Sequence, residues 1–181
     1  MNRALIIIAD SNPLGLSYKL LAPTIKLFYS KQGWDCEVLD LFANGFDPVA
    51  SMDIMKNRIA RSYKHSIKKA NRIHFITNVH LGGISPIMEG FFQQTLSRDF
   101  AFEYNGKKYI SKLKNKEAFF HLNYSTKLRF KFNPTWARLK FDLLPKVFNG
   151  GVVFQSDLKW VDPKIKKREI NKMIKYLKKI S

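Results

Sequence analysis

The stretch Ala4-Leu5-Ile6-Ile7-Ile8-Ala9 is apolar without interruption and rich in β-branched residues, the pattern of a strand covered on both faces in a parallel sheet. After a loop at 10–17, the segment Tyr18 to Gln32 sets Leu20, Leu21, Ile25 and Phe28 on one helical stripe, and Gly33 is placed to stop it. Pro23 removes a hydrogen bond there and kinks the first turns. Glu37-Val38-Leu39-Asp40-Leu41 alternates polar and apolar, as a strand near an edge does. Asp53 is placed to cap a helix running to Ala70, with Ile54, Ile59, Tyr63 and Ile67 inward.

Ile73-His74-Phe75-Ile76 predicts a third strand, and Ile87 to Leu96 a helix behind Pro86. A loop or hairpin at 99–112 leads to a fourth strand, Ala118 to Leu122. Pro134 to Phe148 predicts a helix despite Pro145, and Val152-Val153-Phe154 a fifth strand. Asp162 and Pro163 open a last helix that buries Ile170, Met173, Ile174 and Leu177. Strands alternating with helices predict one α/β domain over 1–181, a three-layer sandwich around a five-stranded parallel sheet in the order 2-1-3-4-5. In such sheets ligands bind beyond the carboxyl ends of the strands, where strand order reverses. The loops at 10–17, 77–85 and 123–132 lie at those ends.

Composition narrows the picture less than pattern does. The chain has 32 basic and 14 acidic residues, a net charge of +18, which attracts phosphates, nucleic acid or an anionic membrane surface without selecting among them. Phe119, Phe120, Phe130, Phe132 and Trp136 lie amid Lys127, Arg129, Lys131 and Arg138, a mixture that single-stranded nucleic-acid binders use. An edge strand or a packed lid fits it equally well, and the lysine-rich last helix reads as a solvated outer face. The single cysteine, Cys36, excludes an internal disulfide. Neither it nor the four scattered histidines have metal-ligand spacing, so a reducing, cytoplasmic location and no metal are expected. Ala4 to Ala9 is too short to span a membrane.

Two loops carry candidate chemistry. Asp10-Ser11-Asn12-Pro13-Leu14-Gly15-Leu16-Ser17 leads from a strand into a helix, where free backbone N–H groups hold an anion and Ser11 and Ser17 add hydroxyls. An ordinary turn with Ser17 as N-cap is the equal alternative. The loop is neither a dinucleotide glycine fingerprint nor a nucleotide P-loop. Thr77 to Pro86 pairs Gly82 with Gly83, letting backbone approach a flat ring, unless it is a plain connector. His80 has the unperturbed pKa for proton transfer near neutrality, although such a histidine is more often a surface residue.

Several blocks resemble the NAD(P)H:quinone oxidoreductase family, including its modulator-of-drug-activity and potassium-efflux-regulator relatives. They are Asn12-Pro13 with Leu16-Ser17, the run Asp40-Leu41-Phe42-Ala43-Asn44-Gly45-Phe46-Asp47-Pro48-Val49, and Met88-Glu89-Gly90-Phe91-Phe92. Phe100 to Tyr104 with Gly106, Leu113, Lys116, and Phe148 to Gly151 continue the match in order. The resemblance implies a flavodoxin-like homodimer that binds FMN or FAD, takes electrons from NADH or NADPH and reduces a quinone or similar electrophile. By position it puts Ser11, Leu16 and Ser17 around the flavin phosphate, Asn78, Val79, His80 and Leu81 beside the ring, and Asn123, Tyr124 and Ser125 opposite. No catalytic residue is implied. Phe91, Phe92, Phe100 and Phe102 are candidates for a dimer patch.

The family's pattern changes in those same loops. Asp10 stands where the family has His. Asn78-Val79-His80-Leu81 replaces a Pro-Leu-Trp-Trp-like segment, and Asn123-Tyr124-Ser125-Thr126 replaces Thr-Thr-Gly-Gly. A flavin-free regulatory or binding member of the same fold is therefore the second reading.

Overall fold

The unbroken apolar run becomes the centre of the fold because both of its faces find cover. In a computed structural model, which describes residues 1–49, 58–80, 83–124, 137–157 and 163–180, strand β1 (Arg3–Ala9) has every residue from Ala4 to Ala9 buried. It pairs in parallel with β2 (Asp35–Asp40) on one side and β3 (Arg72–His80) on the other. Next to β3 lies β7 (Leu113–Tyr124), and next to β7 lies β8 (Phe148–Asp157), both parallel. The parallel path β2-β1-β3-β7-β8 is the predicted order of five.

Two additions depart from it. Strand β1 ends at Ala9, opposite Thr77, so β3 outruns it, and the open side of Val79 and His80 is taken up antiparallel by β4 (Gly83–Ile84). The 99–112 region forms a short helix, α4 (Arg98–Ala101), and a hairpin of β5 (Phe102–Tyr104) and β6 (Tyr109–Ser111) in its own two-stranded sheet.

On one face of the sheet, α2 (Arg58–Lys69) and α3 (Pro86–Thr95) cover a core containing Leu5, Ile7, Phe75, Phe91 and Phe120. Phe75 stacks on Phe120 with centroids 4.9 Å apart. On the other face, α1 (Ala22–Ser30) and α6 (Pro163–Ile180) cover Ala4, Ile6, Ile8 and Ile76. Pro23 cannot donate an N–H to the preceding turn, and the helix begins as a π-helical turn, Ser17–Leu21. It ends at Ser30, and a turn carries the chain to Gly33, whose φ of 73° favours glycine. On α6, Met173 and Leu177 are buried and Ile170 and Ile174 half-buried. Among the described residues, no helix is long and apolar enough to cross a membrane.

Packing revises several expectations. Ile59 is exposed and Ala60 takes the inner position beside Tyr63 and Ile67, while Ile54 and the cap Asp53 lie outside the described residues. The helix expected to reach Phe148 ends earlier, as a π-helical segment Arg138–Leu143 followed by α5 (Leu144–Val147). Phe148 instead pairs with Leu113 and lies 6.1 Å from the Phe75 ring, so sheet packing overrides the helical pattern. Phe119 and Phe120 are buried core rings rather than a stacking platform, and Arg138 is spent on a 2.6 Å ion pair with Glu89. Lys127, Arg129, Phe130, Lys131, Phe132 and Trp136 lie outside the described residues. Of the dimer-patch candidates, Phe91 and Phe92 are core and Phe100 and Phe102 half-buried.

A polar row crosses the second core. Tyr29 Oη lies 2.9 Å from His74 Nε2, and His74 Nδ1 2.9 Å from His121 Nε2, with all three residues buried. Burial lowers the pKa of both histidines, that of His121 to about 3. At the sheet edge, Cys36 is half-buried opposite Ala4, and burial pushes its thiol up to about 11.

Candidate functional site

Where β1 ends, the chain turns away from the sheet and Asp10 points back under its own loop, only 3% exposed. Its Oδ1 accepts the Asn12 backbone N–H at 3.0 Å and the Asn78 side-chain N–H at 2.8 Å, and its Oδ2 accepts the Ser17 hydroxyl at 2.6 Å. Asn123 in turn donates to Ser17 Oγ at 3.0 Å. One carboxylate thus joins the carboxyl ends of β1 and β3, which flank the reversal of strand order, and through Ser17 that of β7. The sheet register makes this possible, because Asn78 of β3 sits opposite Asn123 of β7.

The second loop is tied to the same point. Thr77 Oγ1 and Ser85 Oγ lie 2.9 Å apart, and Ser85 donates to the Ala9 carbonyl at 3.3 Å. Ser85 precedes α3 without a side-chain cap bond, its hydroxyl being used here instead. The Tyr18 hydroxyl donates to the Asp10 carbonyl at 2.8 Å, and burial, then a hydrogen bond to Asp40, raises its pKa. Burial pushes the Tyr124 hydroxyl up to about 12.

Among the candidate cofactor residues, Ser17 and Asn123 are fully buried and belong to the Asp10 network, and Asn78 joins it from a half-buried position. Ser11 is exposed and Leu16 half-buried on the first loop. Val79 and Tyr124 are core residues paired across β3 and β7. His80 is a strand residue opposite Gly83, while Leu81 and Ser125 lie outside the described residues. The first part of the expected 77–85 loop is therefore strand, and so is the start of the 123–132 loop. Sequence reasoning missed Thr77 and Ser85, which carry no motif. It noticed Asp10 only as a family departure, although a carboxylate ending an apolar strand is itself a signal of a buried acceptor. Among the described residues, no group of three or more His, Cys, Asp or Glu side chains forms a metal site.

The first loop tests the fit of a flavin phosphate directly. Its Asn12 amide serves Asp10, its Leu14 amide serves Asn12 Oδ1 at 3.1 Å, and its Gly15 amide serves the Asn12 carbonyl at 2.8 Å. A phosphate about 4 Å from the carboxylate meets a repulsion of roughly 4 kcal/mol per unit charge at an effective dielectric of about 20. The buried carboxylate therefore opposes a phosphate dianion in this loop.

Residues 2–125 match the model of the family described as flavodoxin-like fold. The NAD(P)H dehydrogenase [quinone] 1 of Cavia porcellus is 25% identical over 142 residues, covering 65% of this chain. The chain spans about half the length of that relative, the match covering 51% of it. An NAD(P)H:quinone oxidoreductase from Methanothermobacter marburgensis superposes with a TM-score of 0.73 at 13% identity, over 96% of both chains. An FMN-dependent NADH-azoreductase from Bacillus anthracis, solved with FMN, does so with 0.75 at 13% identity, over 99% of both. At that identity these two structures establish the fold.

Proposed function

Because the chain belongs to the flavodoxin-like fold family, we propose that it is a flavin-dependent NAD(P)H oxidoreductase that reduces quinones or related electrophiles. The observation that carries this reading is the convergence of the β1, β3 and β7 ends on one polar cluster at the reversal of strand order, where such sheets place their ligands. The quinone reductase and azoreductase relatives support the reaction class. A bound flavin carries the redox chemistry, and the chain supplies binding and orientation. Ser11, Leu16 and Ser17 on the first loop, Asn78 to Leu81 on the second and Asn123 to Ser125 on the third are the proposed contacts. A homodimer in the cytoplasm completes the reading.

The test is the visible spectrum of the purified protein before and after incubation with excess FMN, FAD or riboflavin and desalting, followed by NADH and NADPH oxidation with a quinone. Retained flavin bands and acceptor-dependent oxidation support the reading, and a colourless protein that rejects all three flavins overturns it.

The buried Asp10 favours a second reading, a flavin-free member of the fold that serves as a binding or regulatory subunit. Measurable NAD(P)H oxidation by the pure protein disposes of it.

A further inference from the structure

We propose, resting on the flavin-binding reading above, that Asp10 is a specificity residue: it selects for a flavin presenting uncharged hydroxyl groups to the first loop and against one presenting a phosphate there. The carboxylate is already the anion of this loop. It is 3% exposed and accepts three donors, the Asn12 amide, the Asn78 side chain and the Ser17 hydroxyl. Among the described residues, no lysine or arginine pairs with it.

Hydrogen-bond direction sharpens the selection. An ionised carboxylate only accepts, so the Ser17 hydroxyl points at Asp10, and Ser17 must accept from the Asn123 amide. Both asparagines spend an N–H toward the cluster, and their oxygens, Asn78 Oδ1 and Asn123 Oδ1, are left buried with no hydrogen-bond partner. The cluster has a surplus of acceptors. A phosphate dianion brings only more of them, whereas a hydroxyl donates as well as accepts. The loop is also closed onto the carboxylate: a Cβ on Gly15 would lie 2.9 Å from Asp10 Oδ2 and 2.7 Å from the Asn12 carbonyl oxygen.

FMN and riboflavin differ only by the phosphate, so their dissociation constants, read by flavin fluorescence, isolate this preference. The wild-type protein is expected to bind riboflavin at least as tightly as FMN. Asp10→Asn is expected to move the ratio toward FMN by tenfold or more, and Asp10→Ser, which offers a small hydroxyl donor, serves if the first variant fails to fold by circular dichroism. In parallel, inorganic phosphate is titrated while the loop amides are followed by NMR, with binding expected in the variants and not in the wild type. A wild-type preference for FMN of tenfold or more overturns the proposal, as does a variant that gains neither FMN preference nor phosphate binding. If no form of the protein binds either flavin, the flavin reading has failed, and the phosphate titration alone decides the role of Asp10.

Discussion

At the scale of single residues, the buried imidazoles of His74 and His121 link folding to pH. Each has a folded pKa depressed by burial below the 6.5 of an exposed histidine, so between the two values the unfolded chain binds more protons. Their contribution is therefore fully present above about pH 6.5 and is lost as pH falls below it. The slope approaches roughly 1.4 kcal/mol per pH unit for each histidine. Urea midpoints at pH 7.5 and 5 are expected to differ accordingly, and His121→Gln to show about half the dependence. Ser17→Ala deprives both Asp10 and Asn123 of a partner, and a loss of about 1–3 kcal/mol is expected in the same urea assay. Ser17, Asn78 and Asn123 were legible as candidate site residues, but their joining through Asp10 was not. Which side chain turns inward depends on the Asn78–Asn123 register, a long-range fact that local pattern does not contain.

Between elements, two close approaches fix how helices meet their neighbours. On α3, a Cβ at Gly90 would come within 2.6 Å of Pro48 Cα, so Gly90→Ala pushes α3 off the 46–48 segment. A loss of about 1–3 kcal/mol is expected from overpacking, measured by thermal or urea unfolding. Beyond the end of α2, the buried Lys116 donates to the carbonyls of Lys68 at 2.8 Å and Ala70 at 2.6 Å. This satisfies acceptors that a helix end leaves open. Lys116→Met orphans them and is expected to lower stability by about 1–3 kcal/mol by the same measurement. Strands were legible where apolar runs were unbroken, as in Ala4 to Ala9, and their ends were not. The β3 and β7 ladders continue through Thr77, Asn78 and Asn123 because pairing satisfies backbone groups whatever the side chain. At Phe148 the opposite error arises, a helix that stops early to feed a strand.

Across the whole molecule, charge is unevenly shared. Several described acids are used in ion pairs near the amino ends of the strands, such as Arg3 with Asp35 at 2.7 Å and Arg72 with Glu117 at 2.8 Å. The helix surfaces meanwhile carry exposed Lys26 on α1, Arg61 and Lys68 on α2, and Lys167, Lys175 and Lys179 on α6. Positive charge spread over both faces of the sandwich attracts polyanions whatever their sequence. Retention on a nucleic-acid column is expected at low salt and is expected to vanish near physiological ionic strength. Retention that persists there, with a preferred sequence, would show a shaped interface instead. The charge excess was fully legible in composition, whereas its distribution over opposite faces needed the fold.

The half-buried thiol of Cys36 acquires a meaning in the company of the proposed substrates. Quinones alkylate thiolates, so an enzyme that handles them risks poisoning itself. With its pKa raised to about 11 by burial, Cys36 keeps only about one molecule in ten thousand as thiolate at pH 7. Because it is the chain's only cysteine, mass spectrometry after incubation with a quinone reads this immunity as an unchanged mass, with adducts appearing once mild denaturant opens the β1–β2 edge.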